Sequence, residues 1–204
     1  MDLLRRFMSL SGQVALILSM VVVDARAQSF AASAHVASSQ WSEFDGADLG
    51  VGGRLSWMPS PLIGVDADLT FYPSDFEPDG VPFSRRRVEG LFGATIGPRI
   101  NRVRPFVKAG AGFLKVGPTA GAFACIAIFP PPLACVLAGG ATLPAYEFGG
   151  GVEITATDRA FFRADLADRV LKYPGPTFDA NFERRDDGFV GHALRLTFGA
   201  GLRF

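Results

Sequence analysis

Lysine is nearly missing: Lys108, Lys115 and Lys172 are three among 20 basic residues. Net charge is missing as well, with 20 Lys and Arg against 20 Asp and Glu. A nucleic-acid binder carries a basic excess, so no nucleic-acid partner is expected. Two cysteines and two histidines in 204 residues leave no metal-spaced Cys/His cluster. There is no G-x-G-x-x-G, Walker loop or G-x-S-x-G motif, so neither a cofactor nor a metal is expected. Gly110-Ala111-Gly112 and Gly199-Ala200-Gly201 resemble nucleotide loops only superficially, since both lie inside strand-like segments. Helical periodicity is scarce after residue 27. Disorder is excluded by a 49 % apolar composition.

What is present begins at the N-terminus. Residues 1–27 read as a secretory signal peptide, with Arg5 and Arg6, an apolar core Val14–Val23, and Ala25-Arg26-Ala27 as the small-x-small cleavage pattern. Ten residues rise ~15 Å as a helix, too little for a ~30 Å hydrocarbon core; the alternative is a buried N-terminal helix. Cleavage leaves 28–204 as one domain of 204 − 27 = 177 residues. Its charge stays near neutral, at 20 − 3 = 17 basic and 20 − 2 = 18 acidic residues. Export favours pairing of Cys125 with Cys135 in an oxidising compartment. The loop so closed is short and the gain about 2–3 kcal/mol; two free buried thiols are the alternative.

The remaining chain alternates with period two. In the last segment Leu194, Leu196, Phe198, Ala200, Leu202 and Phe204 share one face, and Arg195, Thr197, Gly199, Gly201 and Arg203 the other. Similar segments run through Phe30–Ala37, Leu49–Trp57, Ile63–Phe71, Val88–Gly97, Val107–Phe113, Tyr146–Ile154 and Phe162–Val170. Asp168 is the exception, an acid on the apolar face, expected near the membrane edge. Eight strands of about ten residues match the ~9–11 residues of a tilted membrane-crossing strand. A soluble calyx with its apolar face inward alternates equally well, and three observations separate the two. Connector lengths alternate, short at 58–61, 100–103 and 156–159, long at 41–47, 73–86, 117–143 and 172–189, as in a barrel with short turns at one end and long loops at the other. The polar face is heavily charged, with Arg54, Arg99, Lys108, Arg163, Arg169, Arg195 and Arg203 against Asp66, Asp68, Glu89, Glu147, Glu153 and Asp165. So balanced a set fits a paired internal network in a filled barrel, with arginine favoured for its carboxylate-matching fork; the alternative is that these charges face bulk water. Aromatic residues fall at strand ends on the apolar face, Trp57, Phe162 and Phe204 at the turn end and Phe71, Phe113 and Tyr146 at the loop end, as two interfacial girdles would.

With the last strand in view, the chain resembles the small eight-stranded, OmpA-like outer-membrane β-barrel family. The resemblance implies recognition of that strand by the barrel-assembly machinery, with Gly201, Leu202 and Phe204 matching the assembly signal. No periplasmic peptidoglycan-binding domain follows, so that activity is not carried over.

Val116–Tyr146 is a run of 31 uncharged residues. Pro130-Pro131-Pro132 at its centre excludes a membrane-crossing helix. The run reads as strands continuing into an apolar third loop, which either meets a partner or folds over the barrel mouth as a lid. His35 projects inward, as a network member or a base. His192 sits on the apolar face as an interfacial histidine. Outer-membrane lipid-A deacylases look like this barrel and use a neighbouring His and Ser, but the strand of His192 contains no serine. Arg85 and Arg86 in the second loop, with acids nearby, could engage lipopolysaccharide phosphates; a solvated charged loop is the alternative.

The expected protein is a monomeric, all-β, eight-stranded antiparallel up-and-down transmembrane barrel in the outer membrane of a Gram-negative bacterium, in contact with its lipids and lipopolysaccharide. Its expected role is structural or interactive, through membrane integrity or loop contacts, with no open pore and no enzymatic activity. The alternatives are a barrel binding or passing small apolar molecules or lipid, and a lipid-A-modifying enzyme.

Overall fold

A computed structural model describes residues 29–43, 47–73, 86–118 and 129–204. Segment 1–27, expected to be a signal peptide, and Arg85 and Cys125 lie outside these. Eight long strands close into a barrel: β1 (Ser29–Trp41), β2 (Ala47–Met58), β3 (Ile63–Tyr72), β4 (Arg87–Ile96), β5 (Val103–Val116), β6 (Ala141–Thr155), β7 (Ala160–Tyr173) and β10 (Phe189–Arg203). Between β5 and β6 lies α1 (Leu133–Ala138), and between β7 and β10 a two-residue ribbon, β8 (Thr177–Phe178) with β9 (Arg184–Arg185). Every neighbour in the ring is antiparallel, in the order β1-β10-β7-β6-β5-β4-β3-β2, and β1 pairs with both β2 and β10. Closure leaves no free sheet edge.

The two faces of the wall invert the pattern of a soluble protein. Along β3 the outward residues are Ile63, Val65, Ala67, Leu69 and Phe71, and the inward ones Gly64, Asp66, Asp68, Thr70 and Tyr72. Leu55, Phe92 and Val107 are each more than 60 % exposed on the outside, while Glu89 and Arg169 are fully buried inside. Large apolar side chains ringing a closed wall have no protein to pack against, so hydrocarbon is the solvent that suits them. The chain is a transmembrane barrel.

The turn end is tight. Ile100 and Val103 exchange both backbone hydrogen bonds around Asn101-Arg102, with Asn101 at φ 56°, a left-handed conformation that asparagine tolerates. At the inner face, glycine makes room: a Cβ on Gly52 would lie 2.6 Å from Nε2 of His35, and one on Gly50 2.7 Å from the Tyr72 ring.

The loop end is plugged by apolar side chains. Trp41, Leu91, Leu114, Leu143, Leu171 and Tyr173 pack inside the mouth, and Leu133 of α1 is buried among them. Of the two expectations for the third loop, the described part follows the lid. It is stitched to the fourth loop, where Phe178 N–H and Thr177 Oγ1 both donate to the Pro131 carbonyl, at 3.1 and 2.9 Å. The proline triplet stands outside any helix interior: Pro132 caps the start of the six-residue α1, where a missing N–H removes no hydrogen bond. One expectation is corrected here. Trp41 is not in a connector but is the last, inward residue of β1.

Candidate functional site

Alternation sends every second residue of each strand into the lumen, and there the charged residues meet across it. Arg163 of β7 reaches Asp66 on the diametrically opposite β3, Nη2 to Oδ2 2.8 Å, and Asp165 on its own strand, Nε to Oδ1 2.9 Å. Arg54 of β2 binds Asp68 at 2.9 Å and, across the lumen, Asp165 at 2.7 Å. Lys108 holds Glu147 at 2.6 Å. Arg195 sits on three carboxylates from three strands: Glu147 at 3.0 Å, Asp68 at 2.9 Å and Glu89 at 3.2 Å. Arg169 pairs with Glu89 and donates to Ser39 Oγ at 2.7 Å. This middle layer therefore holds five cations (Arg54, Lys108, Arg163, Arg169, Arg195) and five anions (Asp66, Asp68, Glu89, Glu147, Asp165). Uncompensated charge at such burial would be strongly destabilising.

Hydroxyls and rings complete the layer. Thr70 gives its proton to Asp68 at 3.0 Å and accepts from Arg195 at 2.8 Å. His35 Nε2, 2.9 Å from the same hydroxyl, must then donate. Arg163 lies 4.3 Å over Phe106 and Arg169 4.9 Å over Trp41, cation–π contacts in a desolvated setting. A cavity of about 20 Å³ beside Arg54, Asp66, Lys108 and Arg163 holds about one water. The described lumen is filled.

The remaining sequence candidates fall elsewhere. Arg99 and Arg203 both converge on Glu153 and Thr155 at the turn end; Arg99 is partly exposed and 3.3 Å from the Glu153 carboxylate. Leu202 and Phe204 face outward at that same end, and Gly201 faces inward, where a Cβ would meet the Phe161 ring at 2.6 Å. Arg86 is exposed at the loop end. Cys135 lies on α1.

Some buried charges escaped sequence reasoning. Arg87, the last of an arginine triplet, turns inward to Asp48 at 2.5 Å and lies 5.1 Å over Trp41. Arg104 is buried beside Thr95 at 3.2 Å. Their signal was parity alone: Arg87 with Glu89 and Leu91, Arg104 with Phe106 and Lys108.

Outside the wall, Asp168 and His192 sit on the apolar face near the loop end. Oδ2 of Asp168 is 2.8 Å from Nδ1 of His192, and both side chains are about half exposed. In the fourth loop Asp179 accepts the amides of Asn181 and Glu183, both at 2.9 Å. The Glu183 amide foremost, helped by Arg185, holds its carboxyl below the usual range. No metal-holding group of three ligands occurs among the described residues.

No family model and no curated protein matches the chain. Solved structures do match. Neisserial surface protein A superimposes with a TM-score of 0.52 at 13 % identity, covering 87 % of this chain and 97 % of that one. The N-terminal β-barrel domain of Pseudomonas aeruginosa OprF gives 0.47 at 13 % identity over 85 % and 97 %. Ail of Yersinia pestis gives 0.46 at 17 % identity over 87 % and 99 %. At these identities the likeness is one of fold.

Proposed function

We propose that this chain, which has the fold of the small eight-stranded outer-membrane barrels, is a closed, non-conducting component of a Gram-negative outer membrane. Its wall serves membrane integrity, and its loops serve surface contact. The observation that carries this reading is the lumen itself. Ion pairs from Arg163 and Arg195 cross it to opposite strands, and an apolar plug containing Leu133 closes the loop end above them. An eight-stranded barrel has room inside only for its own side chains. Purified protein in planar bilayers is expected to show no large, stable conductance; such a conductance would refute the proposal.

The outer loops supply the contact surface. Arg86 is exposed at the start of β4, and the reading assigns it, with Arg85, to lipopolysaccharide phosphates, which guanidinium forks match. Reversing both charges is expected to weaken binding of lipopolysaccharide to the purified protein. Unchanged affinity would remove that contact from the proposal. The packed mouth favours this closed reading over a passage for small apolar molecules.

A further inference from the structure

The outer rim of the wall carries a group that the structural reading leaves unused. Six outward residues from Leu194 to Phe204, along β10 and one position past its end, are apolar or small. The eleven residues they span suit a band of ~25 Å for a tilted strand. The next outward residue is His192. Its Nδ1 faces the Asp168 carboxylate at 2.8 Å. An ionised carboxylate only accepts, so Nδ1 carries the proton and Nε2 keeps a free lone pair. Beyond the end of β1, Ser42 continues the pairing: its N–H donates to the His192 carbonyl at 2.8 Å, and its Oγ accepts the His192 N–H at 3.1 Å. Ser42, His192 and Asp168 are all exposed on the outer face. Gln40, the outward residue before Ser42 on β1, is exposed beside them. An ionisable pair at the edge of a lipid-facing band invites a functional account.

We propose that Ser42, His192 and Asp168 form an esterase site at the outer membrane–water interface, acting on an acyl ester of a lipid anchored in the adjoining leaflet. The inference goes beyond the structural role and does not depend on it. Ester linkages of membrane lipids lie at the boundary between hydrocarbon and headgroup, the level of this rim. Acyl chains have the apolar wall of Leu194, Leu196 and Phe148 to lie along. The Ser42 hydroxyl donates to the Glu43 carboxylate at 3.2 Å; cross-strand neighbours have Cβ atoms ~5 Å apart, so turning that hydroxyl from Glu43 to the His192 imidazole completes the relay. His192 Nε2 takes the Ser42 proton as Oγ attacks the ester carbonyl. The carbonyl–oxygen bond to the alcohol breaks, and the alcohol leaves with the proton from His192. Water, deprotonated by the same nitrogen, then releases the fatty acid and restores Ser42. Asp168 is a positioning residue, holding the tautomer. The Gln40 amide, exposed on the same face one outward position before Ser42, is the donor assigned to the oxyanion.

The full chain, reconstituted in phosphatidylethanolamine vesicles with and without lipopolysaccharide, tests this. The readouts are fatty-acid release by mass spectrometry and adduct formation at Ser42 with a fluorophosphonate probe. Release is expected from one or both vesicle types, with the adduct on Ser42. His192→Asn is expected to lower both by at least about a hundredfold, the usual scale of general acid–base catalysis. Asp168→Asn is expected to lower them too, and Asp168→Glu to restore part of the loss. These side chains are exposed, and an unchanged thermal unfolding profile establishes that each variant barrel is intact. Absence of both release and adduct overturns the proposal, as does release that survives both Ser42→Ala and His192→Asn.

Discussion

Arg195→Met is the substitution that most directly probes the charged lumen. Arg195 is 1 % accessible and its guanidinium touches Glu147, Asp68 and Glu89 at 2.9–3.2 Å. Methionine keeps most of the length and removes the charge, leaving four cations against five anions in the middle layer. Each carboxylate retains another cationic partner, Lys108, Arg54 and Arg169 respectively, so none is fully orphaned. Breaking a buried pair by removing one partner costs about 3–5 kcal/mol. With a urea dependence of ~2 kcal/mol per molar, the unfolding midpoint of the refolded barrel should fall by about 1.5–2.5 M. The companion variant Arg195→Met with Glu89→Gln restores the balance at four against four and should recover a substantial part of the loss. A single-variant loss below ~1 kcal/mol would refute the reasoning, because it would give these pairs the small worth of exposed surface pairs.

Three further outcomes follow from the same geometry. Leu133→Ala should loosen the lid by about 2–4 kcal/mol, in the range for a buried leucine, seen as faster proteolysis of the third loop while the barrel stays folded. Phe92→Arg, at the middle of β4 on the outer face, should destabilise the barrel in lipid by about 2–4 kcal/mol, the midplane value, measured by reversible unfolding in vesicles. Asp179 has a folded carboxyl held below its ordinary range. Its contribution to the fourth-loop ribbon is thus complete above the unfolded value near ~4 and is lost as pH falls through the folded one. The protection of the Asn181 and Glu183 amides, exchange rate relative to the intrinsic rate at each pH, should fall on acidification, and less so in Asp179→Asn.

Residue parity was enough to place Asp66, Asp68, Arg163, Arg195 and their partners on one face, because period two is a local property of the chain. Which of them meet was not legible. Arg163 finds Asp66 across the lumen, and that depends on strand order and stagger around a closed ring. Strand ends were harder still. Trp41, Asp48 and Arg87 sit where the wall extends past the apolar band, and their composition, an arginine triplet and a tryptophan beside a loop, looks like solvated connector. The helix α1 was hidden because prolines were read only as breakers. A serine beside His192 was sought within its own strand, whereas Ser42 lies just beyond the end of β1, brought there by the pairing of first and last strands. Periodicity carries no information about that seam.

The bridges across the lumen join residues far apart in the chain: 80 positions separate Arg169 from Glu89, and 127 separate Arg195 from Asp68. None of these pairs can form on a growing open sheet. Until β1 and β10 meet, the carboxylates of β3 and β4 have no cross-wall partners, and turning them toward lipid would be prohibitive. The interior charges thus favour the closed barrel over the open sheet. They keep one face of the unfinished sheet in water, and they give their full stabilisation only to a chain whose seam has closed in the correct register.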